Sequence, residues 1–587
     1  KDSPIQREGA LRGETVYVDI REGTDLADIS GAVGGIERGV DERLADGGEI
    51  NLSSDGDVLV EQGAAIDISG GQIEYQDGYI STTQLLKDGE IVDIGVADKN
   101  VSYDGLAGTY TKVDEKWGVT ETWKVKGADT KARFEAGYIE GKDAGNLNIN
   151  SNALVMEGTV NAKVTPGMYQ RDSSATDHTA IPKGGSVAID LRYTNGAVQN
   201  VIFSEMIDPI LKSYVTTQPA EEFYPVLQLS TQMLKDSGAS SLKVHTYGDI
   251  DIDRGEQITL ASGANLQLVG GTVNIDGKIK VAGGDINLAA QYATGKTAEI
   301  PAVNIGSTAV IDVRGNWVND SPELYPQGNN MQPVYSNGGS VYIKSFTKDE
   351  DSGKPDDEAG FASGDIVIQD GAIIDASGGA WLKQDGTLVA GQGGSIKMFG
   401  KNVDPDGELL AAGLEQGGSL KIITSSVRIT DGEHQPQIGE LVVTPDLFNQ
   451  GGFSTYSLES KLGGITVEAG TKIDLVAQNL RLDSGYALQQ SGDNIESFST
   501  LTTLPEWQRG PTSISLTVAT GDLITAENGN KELYALDIGQ GTKIATENGG
   551  TISLSSNQNM FMDGTLESHG GEITLTLSDD RVLSAYE

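Results

Sequence analysis

Three aspartates are the residues of this chain whose type and setting could do chemistry. Asp67, Asp312 and Asp375 each follow an apolar pair inside the related words GAAIDISGG, TAVIDVRG and GAIIDASGG. Two carboxylates facing each other across a cleft would cut a glycosidic bond. Recurrence at one place of a repeat points elsewhere, because Asp accepts hydrogen bonds from nearby backbone and so holds tight turns. We read Asp67, Asp312 and Asp375, with Gly70 and Gly378, as structural turn residues, and polysaccharide lysis or hydrolysis is the alternative. The Asp-Asp pairs at 356–357 and 579–580 lack any Asn-Thr-Asp or Gly-His-Gly companion. His178, His245, His434 and His569 are widely separated, there is no HExxH word and there is no cysteine, so a transition-metal site has no support. Loosely bound calcium rests on negative charge alone, since tandem GGxGxD repeats are missing.

Aromatic side chains are the second candidate. Only 6% of the chain is aromatic, yet Tyr75, Tyr79, Tyr103, Tyr110, Trp117 and Trp123 crowd together, followed by Phe134 and Tyr138. Such rings glue an insertion to its support, and exposed ones can stack on sugars. These six are the candidate glycan contacts.

Both sets need a scaffold, and Gly47–Tyr75 shows which. GGEINLSSDGDVLVEQGAAIDISGGQIEY breaks into three short stretches of alternating polarity separated by glycine turns, the pattern of three strands. One such unit cannot bury its apolar face alone and must stack on copies. Gly364–Gly379 aligns with Gly56–Gly71 without gaps and is identical at nine of sixteen positions. Gly248–Gly255 repeats the first half of that word and Thr308–Gly315 the second. The opening Gly-Gly turn recurs at 47, 184, 283, 338, 393, 417, 463, 549 and 570, with steps of 24 residues from 393 and 21 from 549. That is a coil length. The fold class is all-β, a parallel β-helix, right-handed by the general bias of parallel crossovers. Discounting insertions leaves about 18–20 coils, a rod of about 90–100 Å at ~4.8 Å per strand.

Along the chain, 1–46 is irregular, with a strand at TVYVDI (15–20), and 47–74 is the first coil. Residues 75–140 form the aromatic-rich insertion on the flank, and 141–203 returns to β-helix. In 204–240 the alternation fails. Val226, Leu229, Met233 and Leu234 stand at helical spacing after Pro225, with Gly238 beyond, which predicts a helix over 225–237. One or two short helices would pack here as a side cap. Coils fill 241–482, with surface loops near 316–337 and 347–363. A loop spans 483–510, and coils occupy 511–587 with no capping element, leaving strand edges that invite further chain or end-to-end assembly of copies.

Composition narrows the partners. The balance of 85 acidic against 42 basic residues, a net charge of −43, repels nucleic acid and anionic membranes. No run of ~18 apolar residues offers a membrane-spanning helix. A stacked ladder needs no disulfides, and their absence suits a chain exported unfolded.

The words GDVLVEQGAAIDISGG, TTQLL, GEIVDIGVAD, WGVTETW and YIEGKDAGNLNI carry a resemblance. With QMLKDSGASSLKVHTYGDIDIDRG before a run of clean coils, the chain resembles the large filamentous-haemagglutinin-type exoproteins of Gram-negative bacteria, in the C-terminal repeat region of their shafts. The likeness covers most of 47–435 and is most specific at 56–71 and 117–149. It implies a right-handed parallel β-helix, two-partner secretion through an outer-membrane barrel, and a secreted or cell-surface adhesin or biofilm scaffold. Its partners would be host or bacterial surface glycans or proteins. The family's secretion domain is not matched, since there is neither an apolar leader nor an NPNG-type motif, so the expectation is a non-enzymatic shaft section.

Overall fold

The computed structural model describes residues 11, 14–20, 22–35, 37, 39–124, 132–176, 179–192, 198–207, 226–293, 300–326, 330–348, 364–519 and 534–578. Alternating stretches such as SISLTV (Ser513–Val518) and TISLSS (Thr551–Ser556) bury every second residue, so they pair edge to edge and stack face inward. The result is a parallel β-solenoid. A first wall of thirteen strands runs unbroken from Glu49–Ser53 to Glu572–Leu577, every neighbouring pair in parallel register. Most coils then turn through shorter second- and third-wall strands, as in Asp57–Val60 and Ala65–Asp67. Ile, Leu and Val from all three walls form one continuous core.

The repeated Gly-Gly turn has a steric cause. A Cβ on Gly339 would lie 1.8 Å from the Gly284 carbonyl oxygen, one on Gly394 1.8 Å from that of Gly339, and one on Gly418 2.0 Å from that of Gly394. Successive coils approach so closely here that only glycine fits. The turn at 463 is the exception, since it opens the second-wall strand Ile465–Val467.

The second and third walls break twice, and both breaks are built alike. Second-wall strands Asn200–Ser204 and Ser426–Ile429 each gain a parallel partner from later in the chain, Val226–Ser230 and Glu440–Val443. Each partner packs against the preceding coil without a strand-to-strand hydrogen-bond ladder. A helix then occupies the third wall. After the first break it is Thr231–Ser237, packed between Thr159–Asn161 and Gln257–Thr259, with Leu234 in the core. After the second it is the 3-10 turn Pro445–Asn449, with Phe448 fully buried.

Several expectations are corrected. Among the described residues the first wall holds thirteen strands, about 60 Å of stack, against the expected 18–20 coils. The missing coils went into insertions, which cost little when placed at turns. The expected helix over 225–237 begins only at Thr231, because Val226–Ser230 takes the strand beside Asn200–Ser204, and it is a wall element rather than a side cap. Ser230 caps it, accepting from Met233 N at 3.1 Å, and Gly238 ends it at φ 70° as the sequence indicated. TVYVDI is not a strand; Val16 and Val18 pack on a small core of Leu26, Leu85, Ile94 and Tyr103. Short helices Ser30–Gly34 and Val40–Arg43 follow it within 1–46. The Asp-Asp pairs, His178 and most of the 347–363 loop lie outside the described residues.

Candidate functional site

Long insertions leave the solenoid at one corner, between a third-wall strand and the next first-wall strand. They span 68–145, 162–185, 313–339, 376–394 and 475–512. Each touches the next. Tyr138 of the first stacks edge-on against Tyr169 of the second at 5.3 Å, and the Gln170 amide bonds both backbone groups of Gly141. Arg171 forms a two-pronged pair with Asp320 of the third at 2.9 and 3.1 Å. Asp320 also accepts from the Trp381 indole at 2.8 Å, beside parallel strands Trp317–Asn319 and Ala380–Leu382. The fifth insertion closes over these through Trp317 Nε1 to Gln489 O at 3.2 Å and the buried Asn319 amide to Ala487 O and Gln489 O. A second core of Trp317, Ala380, Leu382, Leu480, Ile495 and Phe498 lies beneath. The stretches 316–337 and 483–510 are therefore parts of a packed ridge and not free surface loops.

The aromatic insertion occupies one end of this ridge, and its rings divide. Tyr103 is 4% exposed, so it is core rather than a glycan contact. Tyr75 is half-buried, stacked on Tyr138 at 4.8 Å across the antiparallel strands Gln72–Tyr75 and Tyr138–Gly141. Burial, helped by Glu140, raises its phenol pKa to about 12. Tyr79 is 74% exposed and packs edge-on against Phe134. Trp117 and Trp123, 71% and 49% exposed, lie on the hairpin Thr109–Asp114 and Val119–Lys124. Tyr110 is paired by backbone with Trp123, and its side chain lies outside the described residues.

Two of the three aspartates converge. Asp312 and Asp375 are register partners in adjacent third-wall strands. Arg314 bonds Asp312 through Nε at 2.9 Å and Nη2 at 2.7 Å, approaches Asp375 at 3.5 Å and reaches Glu496 of the last insertion at 2.6 Å. Burial works against the charge on Asp312, but the Arg314 bonds outweigh it and hold its pKa low. Asp375, 3% exposed, goes the other way: burial and a hydrogen bond from carboxyl to carboxyl with Glu496 raise its pKa to about 7. Paired glycosidase carboxylates stand ~5 Å or more apart to admit the sugar. Here the Arg314 guanidinium lies against both Asp375, at 3.5 Å, and Glu496, at 2.6 Å, in the place a sugar would need. Asp67 lies apart in the first coil. It accepts from Ser69 Oγ and N at 2.6 and 2.9 Å and from Asn161 at 3.1 Å, and the Ser69 hydroxyl leads in lowering its pKa. Gly70 and Gly378 stand where a Cβ would meet backbone oxygens at 2.2 and 2.6 Å.

Sequence reasoning missed Arg314 and Glu496. A signal for Arg314 was present: AIDLR repeats the spacing of VIDVR, and Arg192 likewise clasps Asp190 at 2.9 and 2.7 Å. Glu496, on a different coil, had none. Among the described residues, no three His, Cys, Asp or Glu side chains gather as a metal site, and no helix is long and apolar enough to cross a membrane. No protein-family model matches the chain, and neither does any curated protein or solved structure.

Proposed function

We propose that the chain is a shaft section of an extracellular structural adhesin of the filamentous-haemagglutinin type, secreted through an outer-membrane barrel and acting without catalysis. The observation that supports this most is the unbroken thirteen-strand first wall over one aliphatic core, a stiff spacer. The ridge of insertions would carry contacts with surface glycans or proteins, since loops on a rigid scaffold are where recognition resides. The high negative charge would keep so strand-rich a particle soluble. Negative-stain imaging tests this: rods or end-to-end filaments are expected, and compact globular particles would reject it.

A second reading, glycan binding by 75–140, is favoured by the exposed rings of Tyr79, Trp117 and Trp123. A glycan array comparing intact protein with a form lacking 75–140 is expected to show signal only for the intact protein, and equal signals would sink that reading. Cleavage of a polysaccharide that disappears on substituting Asp67, Asp312 or Asp375 would replace both readings with an enzyme.

A further inference from the structure

The last corner insertion, 475–512, crosses back over coils that precede it by more than a hundred residues. Its contacts with Trp317 and Asn319 are neutral hydrogen bonds and ring packing. At the base of the same interface lies an uneven set of charges. Asp375 and Asp312 face it from the third wall, Arg314 from the turn after Asp312, and Glu496 from the insertion. Asn494 and Ser377 add neutral bonds, to Arg314 at 2.8 Å and to Asp375 at 2.9 Å, and Lys280 acts on Asp312 from the preceding coil. Three carboxylates thus share one guanidinium, and Asp312 holds it by two side-chain bonds. We propose that the insertion is a proton-controlled clasp, in which a proton held between Asp375 on the coil and Glu496 on the insertion fastens it to the corner.

The sign follows from the geometry. With the insertion docked, Asp375 is buried against Glu496 and its pKa is about 7. Undocked, it faces water and titrates as an ordinary carboxyl near ~4. Docking therefore takes up a proton between these limits. The contribution is complete below the lower value and is lost as pH rises through the upper one, so the clasp loosens toward alkaline pH.

Hydrogen exchange across 486–502, corrected for intrinsic rate, tests this on the whole chain from about pH 5 to about pH 8. The opening constant should rise by up to about tenfold per pH unit below pH 7 and then level off. Asp375→Asn and Glu496→Gln should each flatten that rise while exchange in Ser395–Phe399 and Ser419–Thr424 stays constant. A flat profile in the unaltered protein, or an unchanged slope in the variants, overturns the proposal. Should Asp375→Asn fail to fold, Glu496→Gln decides alone, because Glu496 lies on the insertion outside the coil ladder.

Discussion

The solenoid interior and the ridge on its corner are both cores of buried side chains, yet they are held by different means. Inside, Ile279, Ile311 and Ile374 stack as like on like, each fully buried by its neighbours in the ladder. On the ridge, Trp317 meets the edges of Phe498 and Tyr486 and the Gln489 carbonyl, none of which lies near it in the chain. A ladder tolerates substitution by an apolar side chain of similar volume. The ridge depends on directional partners, so it can loosen while the coils stay intact.

Truncation should reveal the contrast. Trp317→Ala should cost about 3–5 kcal/mol, confined to the ridge: exchange protection would fall across 380–390 and 479–502 and hold in the coils. Equal loss in both would make them one cooperative unit. Ile311→Ala should cost about 2–5 kcal/mol and, unlike the Trp317 change, lower the urea midpoint of the coil ladder itself. At the first wall break, Ser230→Ala removes the helix cap and should cost about 1 kcal/mol, read as faster exchange in Thr231–Ser237. Trp117→Ala, on the exposed hairpin, should change stability by less than about 0.5 kcal/mol, and a larger shift in melting temperature would show that hairpin to be packed.

Much of the coil was legible because burial with a period of two leaves its mark residue by residue. Gly56–Gly71 and Gly364–Gly379, identical at nine of sixteen positions, are the second and third walls of two coils. The Gly238 stop signal was equally local, and the start, read at Pro225, was misplaced, since the alternation of VLQLS also fits a helical face. The coil count failed for a different reason. A polar stretch does not say whether it is a spare loop or a piece of ridge, as 316–337 and 483–510 demonstrate.

The amino-acid sequence by itself determined the solenoid, its Gly-Gly corners and the turn role of Asp67, because each depends on neighbours within one coil or on identical residues one coil away. Only the tertiary structure decided that five insertions share a corner, that Tyr103 is buried while Trp117 is exposed, and that Glu496 meets Asp375. Those outcomes depend on which coils lie side by side once insertions of unequal length have been looped out. No local pattern encodes that distance.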